Sequence, residues 1–499
     1  MPRRPQAVDL PPISGLDRAS GHLGRQLTHA LREAIRSGNL KPGDLLPSTR
    51  QLAGALDIAR GTVMEAYEQL VAEGFLDAQP RAGTRVASAL AQSRPAASGS
   101  KKPAINATPT PLPAPAAAFA KVAEQFKPLP PVPFAVSVPT GPAAPDAAWR
   151  RLGNRIRARG PGAPSGYDDP QGVIALRQAV AEYVRRSRSV QCSAEQVIIT
   201  AGTQQGLYVA CQVLLGATDI AWVEDPAYRG ITGILESTGR QDRMVRVPVD
   251  DAGIDVDAGM AMAKDARAAF VTPSHQYPLG MPMSMGRRNA LLAWARKSGA
   301  WIVEDDYDSE LRYAGHPFPS LQGLAPDRVV YLGTFSKILF PSLRLGYAIV
   351  PEILVPAFCG ARVLMDRHTP SADQHVLAAF ITEGHLDRHI RRIRGVYADR
   401  RSQLAGMLAR WIPKDLGWLQ PSDQGMHLVL WLARGIDDVL LASRAVEAGV
   451  AVRAVSPMYS EGNGRPGLVL GLGGYSNEQM ETAVRILAEI IMSMRKTAR

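Results

Sequence analysis

Cysteine is almost missing from this chain. Cys192, Cys211 and Cys359 stand far apart, and none has a metal-ligand spacing. Three isolated thiols argue against a disulfide framework and fit a reducing compartment; no metal site is expected. Long apolar runs are missing too, since nothing approaches the roughly 20 residues a membrane-spanning helix needs. No membrane partner is therefore expected. The opening stretch MPRRPQAVDLPP is basic but has no apolar core behind it. A secretory leader is accordingly not expected, and a cytoplasmic location is. No short-period repeat is visible, which argues against a solenoid.

What is present is enough for a large folded body. At 499 residues the chain exceeds one ordinary domain, and 46% apolar content supplies a core. Charged residues, at 21%, are too few for wholesale disorder. The formal net charge of +11 favours a polyanionic partner, although arginines that merely solvate helices would give the same number.

Composition divides the chain in three. Residues 15–87 are compact and locally patterned. Residues 88–125 are rich in Ala, Pro and Ser and read as an exposed, semi-stiff linker. From 126 to 499, strand-like and helix-like runs alternate as in an α/β domain, with a smaller part from about 380.

The first region resolves into elements. Leu23, Leu27, Leu31 and Ile35 share one helical face, closed by Gly38 and Pro42. Ser48 caps a second, short helix. RGTVMEAYEQLVAEG forms a third, with Val63, Tyr67 and Leu70 inward. FLDAQPRAGTRVA gives two short strands around Gly83. Three helices and a wing make a DNA-reading module. The third helix would enter the major groove, bringing Arg60, Gly61 and Thr62 to base edges and phosphates. Ser48 and Arg50 at the second helix, with Arg81, Gly83, Thr84 and Arg85 on the wing, would hold the backbone. Taken singly, each arginine could equally be a solvated side chain.

The stretch LPSTRQLAGALDIARGTVMEAYEQLVAEGFLDAQPRAGTRVA resembles the GntR-type winged helix. It departs at Ala59, where the family usually has Ser, and at Ala82 in the wing. The resemblance implies a dimer on two half-sites of double-stranded promoter DNA.

In the second region, RVVYLGTFSKILFPSLRLGYAIV places Lys337 just after a strand, near Thr334 and Ser336, with Arg344 seven residues on. GAWIVEDDYDSELRY ends a strand on Glu304, Asp305 and Asp306, followed by Tyr307. Gly202, Thr203 and Gln204 stand at a strand-to-helix step, where helix-start amides can face a phosphate. A lysine for a Schiff base, a carboxylate for a pyridine nitrogen, a tyrosine for a phenolic oxygen and an arginine for a phosphate are the parts an aldehyde cofactor needs. The plain alternative is a surface lysine beside a solvated strand end.

Residues from about 160 to 480 resemble the fold-type-I aminotransferase domain, carried by SGYDDPQGVIALRQAV, VEDPAYRG, FVTPSHQYPLG, VEDDYDSELRY and GTFSKILFPSLRLGY. The joint architecture resembles MocR-type regulators, a branch of the GntR family. The implied fold is a winged helix-turn-helix linked to a large domain with a mixed, mostly parallel sheet and a small α+β C-terminal domain.

The resemblance also implies pyridoxal 5'-phosphate on Lys337. Asp305 would face its ring nitrogen and Tyr307 its ring oxygen. Gly202, Thr203, Gln204, Thr334, Ser336 and Arg344 would lie around its phosphate, with Tyr228 and His275 nearby. Arg453 and Arg465 are candidates for an effector carboxylate, with Arg453 preferred and Arg229 a third option. Tyr277 stands where enzymes of this fold usually carry Asn, which disfavours efficient turnover. A homodimer regulating a promoter, tuned by the cofactor or by a small amine or amino acid, is the leading reading. A pyridoxal-phosphate-dependent aminotransferase with a DNA-binding module is the alternative, and a half-reaction stays open in either.

Overall fold

The computed structural model describes residues 16–18, 20–79, 83–88, 112–136, 146–158, 166–315, 318–461 and 464–497. They fall into two compact units that divide between Thr110 and Pro111.

In the first unit, α1 (Leu23–Ser37), α2 (Thr49–Leu56) and α3 (Arg60–Ala72) precede a hairpin of β1 (Leu76–Gln79) and β2 (Gly83–Val86). The stripe read from the sequence is the core: Leu27, Leu31, Ile35, Val63, Tyr67 and Leu70 are buried together. α1 stops where Gly38 takes φ +83°, the left-handed cap that glycine allows without strain. Ser48 opens α2 with a capping box. Its hydroxyl accepts from the Gln51 N–H, and the Gln51 side chain accepts from the Ser48 N–H. The Tyr67 hydroxyl donates to the Pro47 carbonyl at 2.9 Å, which fixes α3 against the entry to α2. At α3 the cap residue is Ala59 and no side chain caps the helix, the consequence of Ala in place of Ser.

The second unit opens with α4 (Ala114–Gln125), α5 (Asp146–Ala158) and α6 (Ile174–Arg188). It continues through β3 (Val197–Thr200), α7 (Thr203–Leu214), β4 (Ala221–Asp225), α8 (Arg229–Ser237), β5 (Met244–Asp250), β6 (Gly253–Ile254) and α9 (Val256–Ala263). Next come β7 (Ala268–Val271), α10 (Met285–Ser298), β8 (Trp301–Asp306), α11 (Leu321–Leu324), β9 (Val329–Thr334), β10 (Gly346–Ile349), α12 (Val355–Asp366) and α13 (Ser371–Thr382). The chain closes with α14 (His385–Trp411), β11 (Gly417–Leu419), β12 (His427–Leu432), α15 (Asp438–Glu447), β13 (Arg453–Ala454), β14 (Gly467–Gly471) and α16 (Asn477–Thr497).

The larger sheet has the order β3-β10-β9-β8-β7-β4-β5-β6. β4, β5, β7, β8 and β9 run parallel, while β10 is antiparallel to both β9 and β3. β3 therefore runs with the parallel set. Side-chain alternation sends Val223, Phe270, Val303 and Val330 into one apolar layer and Trp222, Ala269, Ile302 and Val329 into the opposite one. Stacked Trp222 and Trp294, 3.9 Å apart, anchor the second layer. β11, β12, β14 and β13 form a smaller antiparallel sheet. No helix among the described residues is long and apolar enough to cross a membrane.

One boundary differs from the sequence reading. The linker expectation ran to residue 125, yet Ala114–Gln125 is helical and belongs to the second unit. The physical reason is composition plus a partner. Alanine favours helix, Pro115 is tolerated in the first turn, and α8 offers Gly233, beside which a Val122 methyl packs.

Candidate cofactor site

Because β3, β4, β7, β8 and β9 share a direction, their carboxyl ends meet at one edge of the sheet, where open α/β folds take ligands. Gly202 and Thr203 follow β3, Tyr228 follows β4, and His275 and Tyr277 follow β7. Asp305 ends β8, and Ser336 and Lys337 follow β9. Arg344 lies just before β10, whose reversed direction starts it at the same edge. Residues far apart in the chain are thus neighbours: the Arg344 guanidinium donates to the Ala201 carbonyl at 2.6 Å and lies against Gly202.

A cavity of about 390 Å³ opens there, with Thr203, Tyr228, Tyr277, Asp305, Tyr307, Lys337 and Arg453 among its walls. Alternation along β8 separates the adjacent aspartates. Asp306 turns into the core, where it takes the Arg188 guanidinium at 2.7 Å and the Tyr331 hydroxyl at 2.6 Å. Asp305 turns to the cavity, and its Oδ1 has no hydrogen-bond partner among the described residues. Burial, with Asp306 adding repulsion and Lys337 opposing it, pushes the Asp305 carboxyl up to about 7. Burial also draws Lys337 down to about 8, with Asp308 and Asp305 acting against that shift.

The Tyr307 hydroxyl lies 3.0 Å from His275 Nδ1, and that nitrogen also sits 2.9 Å from both Asp308 oxygens. The two contacts converge on one ring nitrogen, and a proton there serves the Asp308 carboxylate rather than the Tyr307 oxygen. The Tyr307 proton is left to point elsewhere. His427, whose Nε2 donates to the Pro278 carbonyl, packs beside the His275 ring at 4.9 Å. Burial holds His427 down to about 4, hence neutral. His275 stands behind Tyr307 rather than on the cavity wall. The Tyr228 hydroxyl donates to the Gln204 side chain at 3.1 Å, so Gln204 steadies Tyr228 as well as starting α7. Gly230 makes this arrangement sterically feasible, since a Cβ there would overlap the Tyr228 ring.

The residues fit pyridoxal phosphate. The cavity has a half-buried lysine at its edge and an aspartate oxygen without a partner among the described residues. A helix start follows Gly202 at φ +89°, close to Arg344, and Ser336 Oγ is buried with no partner among the described residues. Thr334 is buried beside it and accepts from the Ser336 N–H at 3.2 Å.

The two effector candidates separate. Arg453 lies on the cavity wall. Arg465 stacks on Trp431 at 4.0 Å and on Trp418 at 5.4 Å, a cation–π position that does not bring it to the cavity. Arg229 reaches the cavity but is gripped by both Glu236 oxygens at 2.6 Å. His427 belongs to no motif read from the sequence, and Gly230 is marked only by its place in VEDPAYRG. The one signal for Asp308 was its place in EDDYD.

In the first unit, Arg50, Arg60 and Gly61 are exposed, and nothing lies within 4 Å of where a Gly61 Cβ would stand. Thr62 is half-buried at the start of α3. The Arg60 Nε donates to the Thr49 hydroxyl at 3.3 Å, linking α3 to α2. Arg85 donates to the Gly43 carbonyl at 3.0 Å, so it braces the wing on its own unit. Gly83 takes φ +88° against Leu45, and the Thr84 carbonyl accepts from the Leu46 N–H. Arg81 lies outside the described residues.

The profile of the gntR family of bacterial regulatory proteins matches residues 23–86, and that of class I and II aminotransferases matches 132–487. The chain is 35% identical over 488 residues to the probable rhizopine catabolism regulatory protein MocR of Rhizobium meliloti, covering 96% of each. It is 33% identical to the pyridoxine biosynthesis transcriptional regulator PdxR of Corynebacterium glutamicum, covering 93% of this chain and 94% of that one. The structure of the α-aminoadipate aminotransferase LysN from Thermus thermophilus superposes with a TM-score of 0.70 at 27% identity, covering 77% of this chain and 98% of that one. With a winged helix in front, a class I and II aminotransferase fold behind and full-length likeness to proteins built the same way, the chain belongs to the MocR-type branch of the GntR family of transcriptional regulators.

Proposed function

We propose that this regulator binds promoter DNA as a homodimer in the cytoplasm and that pyridoxal 5'-phosphate held in the cavity at Lys337 sets its affinity. The observation that carries the reading is the cavity, where Lys337, Asp305, Tyr307 and Thr203 meet in a chain that begins with a DNA-reading module. The cofactor supplies an aldehyde for a lysine amine and a ring that withdraws electrons. Lys337 would anchor it, Asp305 would pair with its ring nitrogen, and Tyr307 would donate to its ring oxygen. Thr203, Ser336 and Arg344, with the amides after Gly202, would hold its phosphate. Arg453 would take the carboxylate of an amino-acid effector. On DNA, Arg50, Arg60, Gly61 and Thr62 would make the contacts, supported by Ser48 and the wing. A ligand that binds the two arrangements of the protein with different affinity suffices to shift the DNA equilibrium.

The test is an electrophoretic mobility or anisotropy assay on the intergenic region beside the protein's own gene, with and without pyridoxal phosphate and a panel of amines. Specific binding whose midpoint moves with the cofactor or an amine is expected. No specific binding in any condition would sink the reading. Steady-state amino transfer at an ordinary enzyme rate, undiminished without residues 1–87, would favour the aminotransferase alternative.

A further inference from the structure

Behind Tyr307 lies a cluster of three titratable side chains, His275, Asp308 and His427, each with 2% or less of its surface exposed. They are buried within one chain, so a second copy brings no group to them. Gly425, at φ +81°, makes the room, since a Cβ there would collide with the His275 ring.

The His275 imidazole is oriented by what each nitrogen meets. Nδ1 lies 2.9 Å from both Asp308 oxygens, whereas Nε2 is buried with no hydrogen-bond partner among the described residues. A proton at Nε2 would be a buried donor with nothing to accept it, so the proton belongs at Nδ1. His427 does not compete for Asp308, because its Nε2 proton goes to the Pro278 carbonyl at 2.9 Å. The Met426 N–H gives Asp308 a longer bond, at 3.3 Å. His275 is therefore the main donor to a carboxylate sealed from water.

Without the imidazole that balance changes. The Tyr307 oxygen and both Asp308 oxygens lie within 3.0 Å of the same Nδ1, so they face one another across the space it fills. A buried carboxylate that loses its main donor takes the nearest O–H, and here that is Tyr307. Burial, with Asp308 foremost among the charges beside it, raises the Tyr307 hydroxyl well above its ordinary range, so the proton stays on the oxygen. That single proton serves one acceptor at a time.

We infer that His275 is a positioning residue that occupies Asp308, so that the Tyr307 proton is kept for the cofactor's ring oxygen. This rests on the reading that the cavity takes pyridoxal phosphate at Lys337. His275 acts through Asp308 and Tyr307.

The experiment strips the full-length protein of cofactor and titrates pyridoxal phosphate back, following the visible band. Tyr307→Phe sets the scale, and its midpoint should rise about tenfold, the worth of a hydrogen bond to a charged oxygen. His275→Phe should come close to that loss. His275→Asn, whose amide nitrogen stands at the same remove from the backbone as Nδ1, should keep most of the affinity. The deciding comparison repeats His275→Phe in an Asp308→Asn background, where no carboxylate remains to divert Tyr307 and the substitution should cost little. Comparing the two backgrounds cancels the direct effect of the Asp308 charge on Lys337. Equal loss in both backgrounds, no loss in the wild-type background, or a Tyr307→Phe midpoint that does not move overturns the assignment and leaves the cofactor reading intact. Should His275→Phe alone fail to fold, the Asp308→Asn background decides, and a loss there as large as that of Tyr307→Phe overturns the assignment. A wild-type protein that gives no visible band removes the cofactor reading and this role with it.

Discussion

Two neighbouring aspartates show how a single position decides chemistry. Asp305 and Asp306 are chemically identical, but strand alternation buries one against Arg188 and turns the other to the cavity. Arg188 and Asp306 are nearly fully buried, so removing one partner leaves a bare charge in the core. Arg188→Met should cost about 3–5 kcal/mol in chemical denaturation; a loss under about 1 kcal/mol would contradict that. Lys337 makes a pH prediction. Its neutral form attacks an aldehyde, and burial brings its ionisation down to about 8. At pH 7 roughly one molecule in ten carries the neutral amine, against fewer than about one in a thousand for an ordinary lysine. The rate at which the visible band forms on adding pyridoxal phosphate should rise with pH and level off above about 8. A rate still climbing about tenfold per unit near pH 9.5 would refute the shift.

Gly61 belongs to the same scale. A Cβ there meets open space, so Gly61→Ala should stabilise α3 by about 0.5–1 kcal/mol. The same methyl would stand between the helix start and a phosphate, and DNA affinity should fall by about tenfold. Thermal unfolding and an anisotropy titration on one sample separate the two effects. Weaker DNA binding together with lost stability would point to misfolding instead.

At the scale of elements, α2 has eight residues and depends on its ends. The reciprocal bonds of Ser48 and Gln51 satisfy two backbone groups that a helix start leaves open. Ser48→Ala should destabilise the first unit by about 1 kcal/mol in calorimetry, whereas Ser48→Asp should keep most of the cap. Equal losses in both would show that the hydroxyl acts through something other than capping. α4 makes the opposite point. Its Ala-rich sequence looks like linker because nothing in it spells a core, yet α8 supplies the surface that a helix of that composition needs.

At the scale of the whole molecule, the DNA-reading and cofactor roles should separate by substitution. Lys337→Ala should abolish the visible band and the response of DNA binding to pyridoxal phosphate while specific DNA binding persists. A full cofactor response in that variant would exclude Lys337 as the anchor. The affinity for DNA should also fall steeply with salt, with a shallower slope in Arg60→Ala.

The sequence by itself determined the kind of molecule. The leucine stripe of α1, the Ser48 cap and the turn at Gly83 are local, so periodicity and turn chemistry reveal them. The strand-end motifs around Lys337 and Asp305 are legible for the same reason, because chain direction alone puts them at one sheet edge. Only the tertiary structure decided which candidates meet. Arg453 and Arg465 stand 12 positions apart in similar surroundings, yet one lies on the cavity wall and the other stacks on two tryptophans. The link from Tyr307 to His275 and Asp308, and the bonds that the Ala451 and Gly471 N–H groups donate to the Pro133 and Phe134 carbonyls, join residues that sequence keeps 32 to more than 300 positions apart. Such contacts depend on how the strands order and how the small sheet docks, and no local pattern encodes that.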